Sequence, residues 1–204
     1  FGCAYTMFYP ELQKGSGPVL KDARKVAEDS DFSCIELSWV KDDKIRKKLA
    51  RMLKDAQLRV VYTQGAPAYQ ESININALDE KQRKNSVTRT KQLIDEAREL
   101  DSSVFQMIGG PDPGKKRREE AIKRLEESLF ELAEYASQKP SVTITIENLD
   151  RELDKKFLAG PTKETVSIIE NVREQYSNIG LTLDLAHIPL LNENPSEAVN
   201  DACS

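Results

Sequence analysis

Thr143-Ile144-Thr145-Ile146-Glu147 and, further along, Leu181-Thr182-Leu183-Asp184 alternate strictly between polar and apolar residues, and each run ends on a carboxylate. Successive side chains of a strand point to opposite faces, so the Ile and Leu residues share one face and the Thr, Glu and Asp residues the other. Outward from these two runs, short apolar stretches alternate with longer segments whose apolar residues recur three or four apart. That is the pattern of repeated βα units around a parallel sheet. The strands are expected at 2–8, 33–39, 59–64, 103–108, 142–148 and 181–185. The helices between them show apolar stripes: Leu20, Ala23, Val26 and Ala27; Ile45, Leu49, Met52, Leu53 and Ala56; Val87, Ile94, Ala97 and Leu100; Ile122, Leu125, Leu129, Leu132, Ala133 and Ala136; Val166, Ile169, Val172 and Tyr176. Thr162, after Pro161, reads as an N-cap, and Pro195 opens a sixth helix.

The segments that follow strands, 64–78, 109–114 and 149–161, are longer than those that precede them. In a (β/α)8 barrel the C-terminal ends of the strands carry the active site and the opposite end carries short turns. A doubly wound open sheet is the competing fold, but no GxGxxG turn follows the first strand, and Gly15-Ser16-Gly17 lies too far from Phe8. The expectation is an α/β TIM barrel, residues 1–204 as a single domain, of which about six βα units are present. The sequence starts without Met at an apparent strand and stops soon after a helix opens, which suggests that both ends are cut.

In a barrel the strand face under the helices must be apolar, so Thr145, Glu147, Thr182 and Asp184 are expected to point inward. Neighbouring strands lie roughly 4.8 Å apart, close enough for the two carboxylates to share one ion. Without a cation they would repel and one pKa would rise. A strand-end carboxylate that caps a loop or pairs with a basic residue is the competing structural role. His187 is the one histidine of the chain. By period-two alternation Glu36 also points inward, with an internal ion pair as its alternative role. Trp39 and Tyr69 stand near the active face, Trp39 more suited to the core and Tyr69 to stacking on a sugar ring. Gly109-Gly110-Pro111 reads as a tight turn whose backbone a ligand can approach closely.

The net charge of −4 argues against a surface that tracks phosphates, and Lys115-Lys116-Arg117-Arg118, followed by Glu119-Glu120, reads as a solvated helix start. Hydrophobic residues at 39% and charged residues at 31% suit an ordinary globular chain. Cys3, Cys34 and Cys203 form no CxxC pair and are expected to be free thiols in a reducing compartment. No apolar run reaches the roughly 20 residues of a membrane span, so no membrane association and a cytoplasmic location are expected.

Glu147-Asn148-Leu149 closing one strand and Asp184-Leu185-Ala186-His187 closing the next resemble the xylose isomerase-like TIM-barrel superfamily, the sugar phosphate isomerase/epimerase group. Gln64-Gly65-Ala66-Pro67-Ala68-Tyr69, the stretch from Arg83 to Val87, and Ile94 to Leu100 resemble its third βα unit. The resemblance implies that Glu147 and Asp184 are metal ligands, that Glu147 can also serve as a base, and that His187 lies beside the substrate or metal; Glu36, Tyr69 and Gln64 are expected to touch substrate. It implies one divalent ion, Mn2+, Mg2+ or Co2+, with Zn2+ also compatible. In epimerase-like members such an ion polarises adjacent carbonyl and hydroxyl oxygens while carboxylates move a proton through an enediolate. The implied partner is a small sugar, sugar phosphate or polyol, with no nucleic acid, and a homo-oligomer is compatible with the fold. Two further ligands, a His on strand seven and a Glu on strand eight, are expected beyond Ser204.

Four functions follow as expectations: a sugar isomerase or epimerase first, then an inositol-type keto-sugar dehydratase, then a non-catalytic sugar-binding barrel. An apurinic-site endonuclease is the least favoured, because Gln64 and either Gln106 or Met107 stand where that branch carries zinc-binding histidines.

Overall fold

The structure, a computed structural model, describes residues 1–138 and 140–203. Six strands, β1 (Gly2–Ala4), β2 (Cys34–Leu37), β3 (Arg59–Thr63), β4 (Val104–Met107), β5 (Thr143–Glu147) and β6 (Ile179–Thr182), pair in sequence order. Every pairing is parallel. Parallel neighbours need a crossover, and helices α2 (Val19–Ala27), α3 (Asp43–Asp55), α5 (Glu80–Glu99), α6 (Arg118–Ser137) and α7 (Thr162–Arg173) supply it. Two short helices, α1 (Tyr5–Phe8) and α4 (Gly65–Gln70), follow β1 and β3 directly, and α8 (Pro195–Cys203) comes last. β1 and β6 each pair on one side, so the sheet is an open, partial barrel.

The main apolar layer lies between the outer sheet face and the helices. Ile35, Leu37, Val60, Tyr62, Phe105, Met107, Ile144, Ile146 and Ile179 are buried there against Leu49, Leu53, Leu93, Ile94, Leu125, Leu129 and Leu132. Each such side chain contributes roughly 1.5–3 kcal/mol by leaving water. Tyr62 and Phe105 stack at 5.5 Å, and the Tyr62 hydroxyl donates to Glu96 on α5 at 3.1 Å. Helix starts are capped where the sequence offers a carboxylate: Asp42 accepts from the N–H groups of Lys44 and Ile45, and Asp79 from that of Gln82. Arg83, 4% exposed, ties α5 to α6 through Ser128 and Glu131.

Three expectations need correction. The first strand stops at Ala4, not Phe8: Tyr5–Phe8 form one helical turn, and the buried Tyr5 donates its hydroxyl to the Val19 carbonyl of α2 at 2.8 Å. The sixth strand is Ile179–Thr182 rather than 181–185. Its register with β5 starts at Ile179 opposite Ile144, so Gly180 is in the ladder and Asp184 lies past the strand. Thr162 is the first residue of α7 and not its cap. Its N–H and hydroxyl donate to the Glu193 carboxylate at 2.9 and 2.6 Å, so the helix start is held by a distant side chain.

The connections at the C-terminal strand ends lean on one another. Gly110 N–H donates to Asn76 Oδ1, Leu158 N–H donates to the Gly110 carbonyl at 2.9 Å, and Pro111 bridges to Phe157. Gly110 lies so close to the Asn74 side chain that a Cβ there could be admitted only if that side chain moved. The anticipated close approach is therefore to the chain's own loops. Lys115 and Lys116 lie in the turn before α6, where Arg117 pairs with Glu120 and Arg118 with Asp112. The three cysteines are unpaired. Among the described residues no helix is long and apolar enough to cross a membrane.

Candidate active site

The inner strand face carries the polar residues. Thr182 Oγ1 donates to Thr145 Oγ1 at 2.7 Å across β6 and β5, which sets the inward parity of both runs. One step nearer the C-terminal ends, Glu147 closes β5, and Gln106 on β4 donates its Nε2 to Glu147 Oε2 at 2.5 Å. Asp184 lies in the turn after β6, where its Oδ1 accepts from the Ala186 N–H at 2.8 Å and its carbonyl from the His187 N–H at 3.1 Å. The carboxylates still converge. Burial first, then the charges of Asp184 and Glu36, push Glu147 up to about 7, against the lowering effect of the Gln106 amide. Glu36 on β2 is raised by burial and by Asp184, so it meets another carboxylate, not the basic partner weighed for it.

Glu36 and Glu147 are partly desolvated and both feel the charge of Asp184, a repulsion that a divalent cation would relieve. Glu147 and Asp184 would hold it through oxygen. Among the described residues no three His, Cys, Asp or Glu side chains converge tightly enough to complete such a site.

A family model for the xylose isomerase-like TIM barrel matches residues 24–201. The chain belongs to that family. Solved structures agree with its architecture. A D-psicose 3-epimerase from Clostridium cellulolyticum H10 superposes with a TM-score of 0.75 at 19% identity, over 92% of this chain and 65% of that one. A D-tagatose 3-epimerase-like protein gives 0.74 at 21% identity, over 90% and 67%. The IolI protein with a bound zinc atom gives 0.70 at 19% identity, over 90% and 63%. This chain thus spans about two thirds of the length of these relatives, and identity at this level establishes the fold alone. No curated protein matches the sequence.

Within this xylose isomerase-like frame the remaining site residues separate. His187 folds back over the strand ends, with Nε2 3.8 Å from Asp184 Oδ2 and Nδ1 3.3 Å from Asp150 Oδ1. Tyr69 is 55% exposed and meets Phe157 edge-on at 5.7 Å. With Asn74, Ile108, Pro111 and Lys155 the two rings line a cavity of about 310 Å3. Burial and the charge of Glu147 raise the Tyr69 pKa while Lys155 lowers it, so the phenol stands within electrostatic reach of the carboxylates. Trp39 is core, 4% exposed, its indole N–H donating to the Gln13 carbonyl at 2.8 Å.

Gln64 does not join the group. It shares strand parity with Val60 and Tyr62, faces the helices, and donates its Nε2 to Thr90 on α5 at 3.0 Å. The glutamine that reaches the site is Gln106. By resemblance, Gln106 was one of two alternatives, with Met107, for the place of a zinc-binding histidine. Asp150 was missed, although it is fully buried and three residues past Glu147. Its only sequence signal was a carboxylate just beyond an active-face strand, beside the apolar Leu149.

Proposed function

We propose that this chain is the larger part of a divalent-metal-assisted isomerase or epimerase of a small sugar, sugar phosphate or related polyol. The supporting observation is Glu147: a half-buried strand-end carboxylate oriented by Gln106 and, in the metal-free chain, pushed up to about 7 by burial and then by Asp184 and Glu36. A base with a pKa near the working pH takes a proton from carbon and returns it without either step becoming prohibitive. A bound Mn2+, Mg2+, Co2+ or Zn2+ would add charge at Asp184 and Glu147 and polarise the oxygens of the substrate. Glu147 then removes the proton next to the carbonyl, leaving an enediolate, and a water molecule delivers a proton to the opposite face of the same carbon while Glu147 releases its own to solvent, which gives the epimer. Glu36 and His187 meet substrate hydroxyls, and the Tyr69–Phe157 cavity takes the rest of the carbon chain.

The test is incubation of the chain and of a C-terminally extended form with Mn2+ and a panel of ketoses and sugar phosphates in D2O. Deuterium at the carbon beside the carbonyl, lost in Glu147→Gln, supports the reading; no exchange with any sugar in either form overturns it. A dehydrated product in place of the epimer would assign an inositol-type dehydratase. A second reading, a barrel that binds sugar without turnover, draws support from the two-carboxylate donor set that no third ligand completes among the described residues. Calorimetric binding of a ketose by the extended form without deuterium exchange would favour it. Cleavage of abasic duplex DNA would favour the endonuclease reading, which Gln64 and Gln106 in place of histidines weaken.

A further inference from the structure

Asp150 is 0% exposed, and its carboxylate is surrounded by hydrogen-bond donors. Oδ2 accepts from the backbone N–H groups of Leu153, Asp154 and Lys155 at 3.2, 2.6 and 3.0 Å, and Oδ1 from Lys155 at 3.1 Å. The remaining side of Oδ1 faces His187 Nδ1 at 3.3 Å. That distance is within hydrogen-bond reach, the ring tilt leaves the bond unaligned, and the buried Nδ1 has no other partner. The loop that Asp150 gathers also carries Lys155 and Phe157 into the cavity beside Tyr69.

We propose that Asp150 is a positioning residue that holds His187 through its Nδ1–H and so presents Nε2 to the site as the substrate-facing atom. An ionised carboxylate with every neighbour a donor can only accept, so the contact is attractive only when Nδ1 carries the proton. The neutral ring then offers a bare Nε2, an acceptor for a substrate hydroxyl, on the side of Asp184. Without Asp150, the nearest carboxylate is Asp184, 3.8 Å from Nε2, which would draw the proton to the opposite nitrogen. The same anchor ties the loop after β5 to the turn after β6. This inference rests on the sugar-binding reading of the site, but its test does not require turnover.

His187 is the one histidine of the chain, so its ring nitrogens give a single, unambiguous pair of 15N resonances. In the metal-free protein, at a pH where the ring is neutral, the expected spectrum has Nδ1 protonated and Nε2 bare, the reverse of the preference of free histidine. In Asp150→Asn the single amide oxygen is needed by the backbone N–H groups, which leaves the amide NH2 toward Nδ1, and the two resonances should exchange character. Asp184→Asn should keep the wild-type pattern. A wild-type spectrum with Nε2 protonated, or with both nitrogens averaged, overturns the proposal, and it does so even where the Asp150 variant fails to fold. Loss of deuterium exchange in every form with the Nδ1–H tautomer intact would instead count against the proposed reaction alone.

Discussion

Gln106 Nε2 on β4 donates to Glu147 Oε2 on β5 at 2.5 Å, so the carboxylate at the centre of the site is oriented by an amide on the neighbouring strand. That bond favours the charged form and opposes burial and the charges of Asp184 and Glu36. In Gln106→Leu the pKa of Glu147 should rise further above about 7, by roughly one unit, the worth of one hydrogen bond to a charged group. The check is a carboxyl 13C NMR titration of Glu147 in the metal-free protein, whose midpoint should move to higher pH.

Glu147 also makes metal-free stability depend on pH. Its folded pKa, about 7, lies above the ordinary value of 4.5, so between those values the folded state binds the proton more tightly than the unfolded chain. Stability is therefore fully present below the lower value and falls as pH rises through about 7. A shift of this size amounts to at most about 3 kcal/mol. Urea titrations in a chelator should show wild type weaker at pH 8 than at pH 5, and Glu147→Gln should flatten the difference. The same substitution should reduce exchange by roughly 10²–10⁴-fold.

A divalent ion should relieve the same repulsion. At pH 8, Mn2+ at roughly a hundredfold excess over its dissociation constant should stabilise the chain by about 2.7 kcal/mol. Thermal melts with and without the ion measure this, and Asp184→Asn should abolish most of the gain.

Gly110 predicts a purely steric effect. A methyl group at 110 would meet Asn74 Oδ1 at 1.9 Å and Asn76 Oδ1 at 2.8 Å, where the loops after β3 and β4 cross. Gly110→Ala should cost about 1–3 kcal/mol in urea denaturation, and adding Asn74→Ala should recover part of it.

Much of the site was legible because strand alternation is local. Glu36, Thr145, Glu147 and Thr182 face the interior by parity with apolar neighbours that the helices cover. The same argument sends Gln64 to the opposite face, because its parity follows Tyr62. It was taken for a site residue by resemblance, while period-two counting along its own strand sends it to Thr90. Asp184 reaches the site although it lies past β6, because the turn it caps continues in the same direction.

The sequence by itself determined the parallel βα order, the inward carboxylates and the family, because these depend on periodicities of two and about 3.6 residues and on motifs at strand ends. Only the tertiary structure decided where β1 and β6 stop, that Gln106 rather than Gln64 serves Glu147, and that Asp150 lies against His187. Each of these is a contact between segments far apart in the chain, such as Tyr5 with Val19, Gln106 with Glu147 and Asp150 with His187. Their partners are chosen by register and loop packing, and no short-range pattern encodes them.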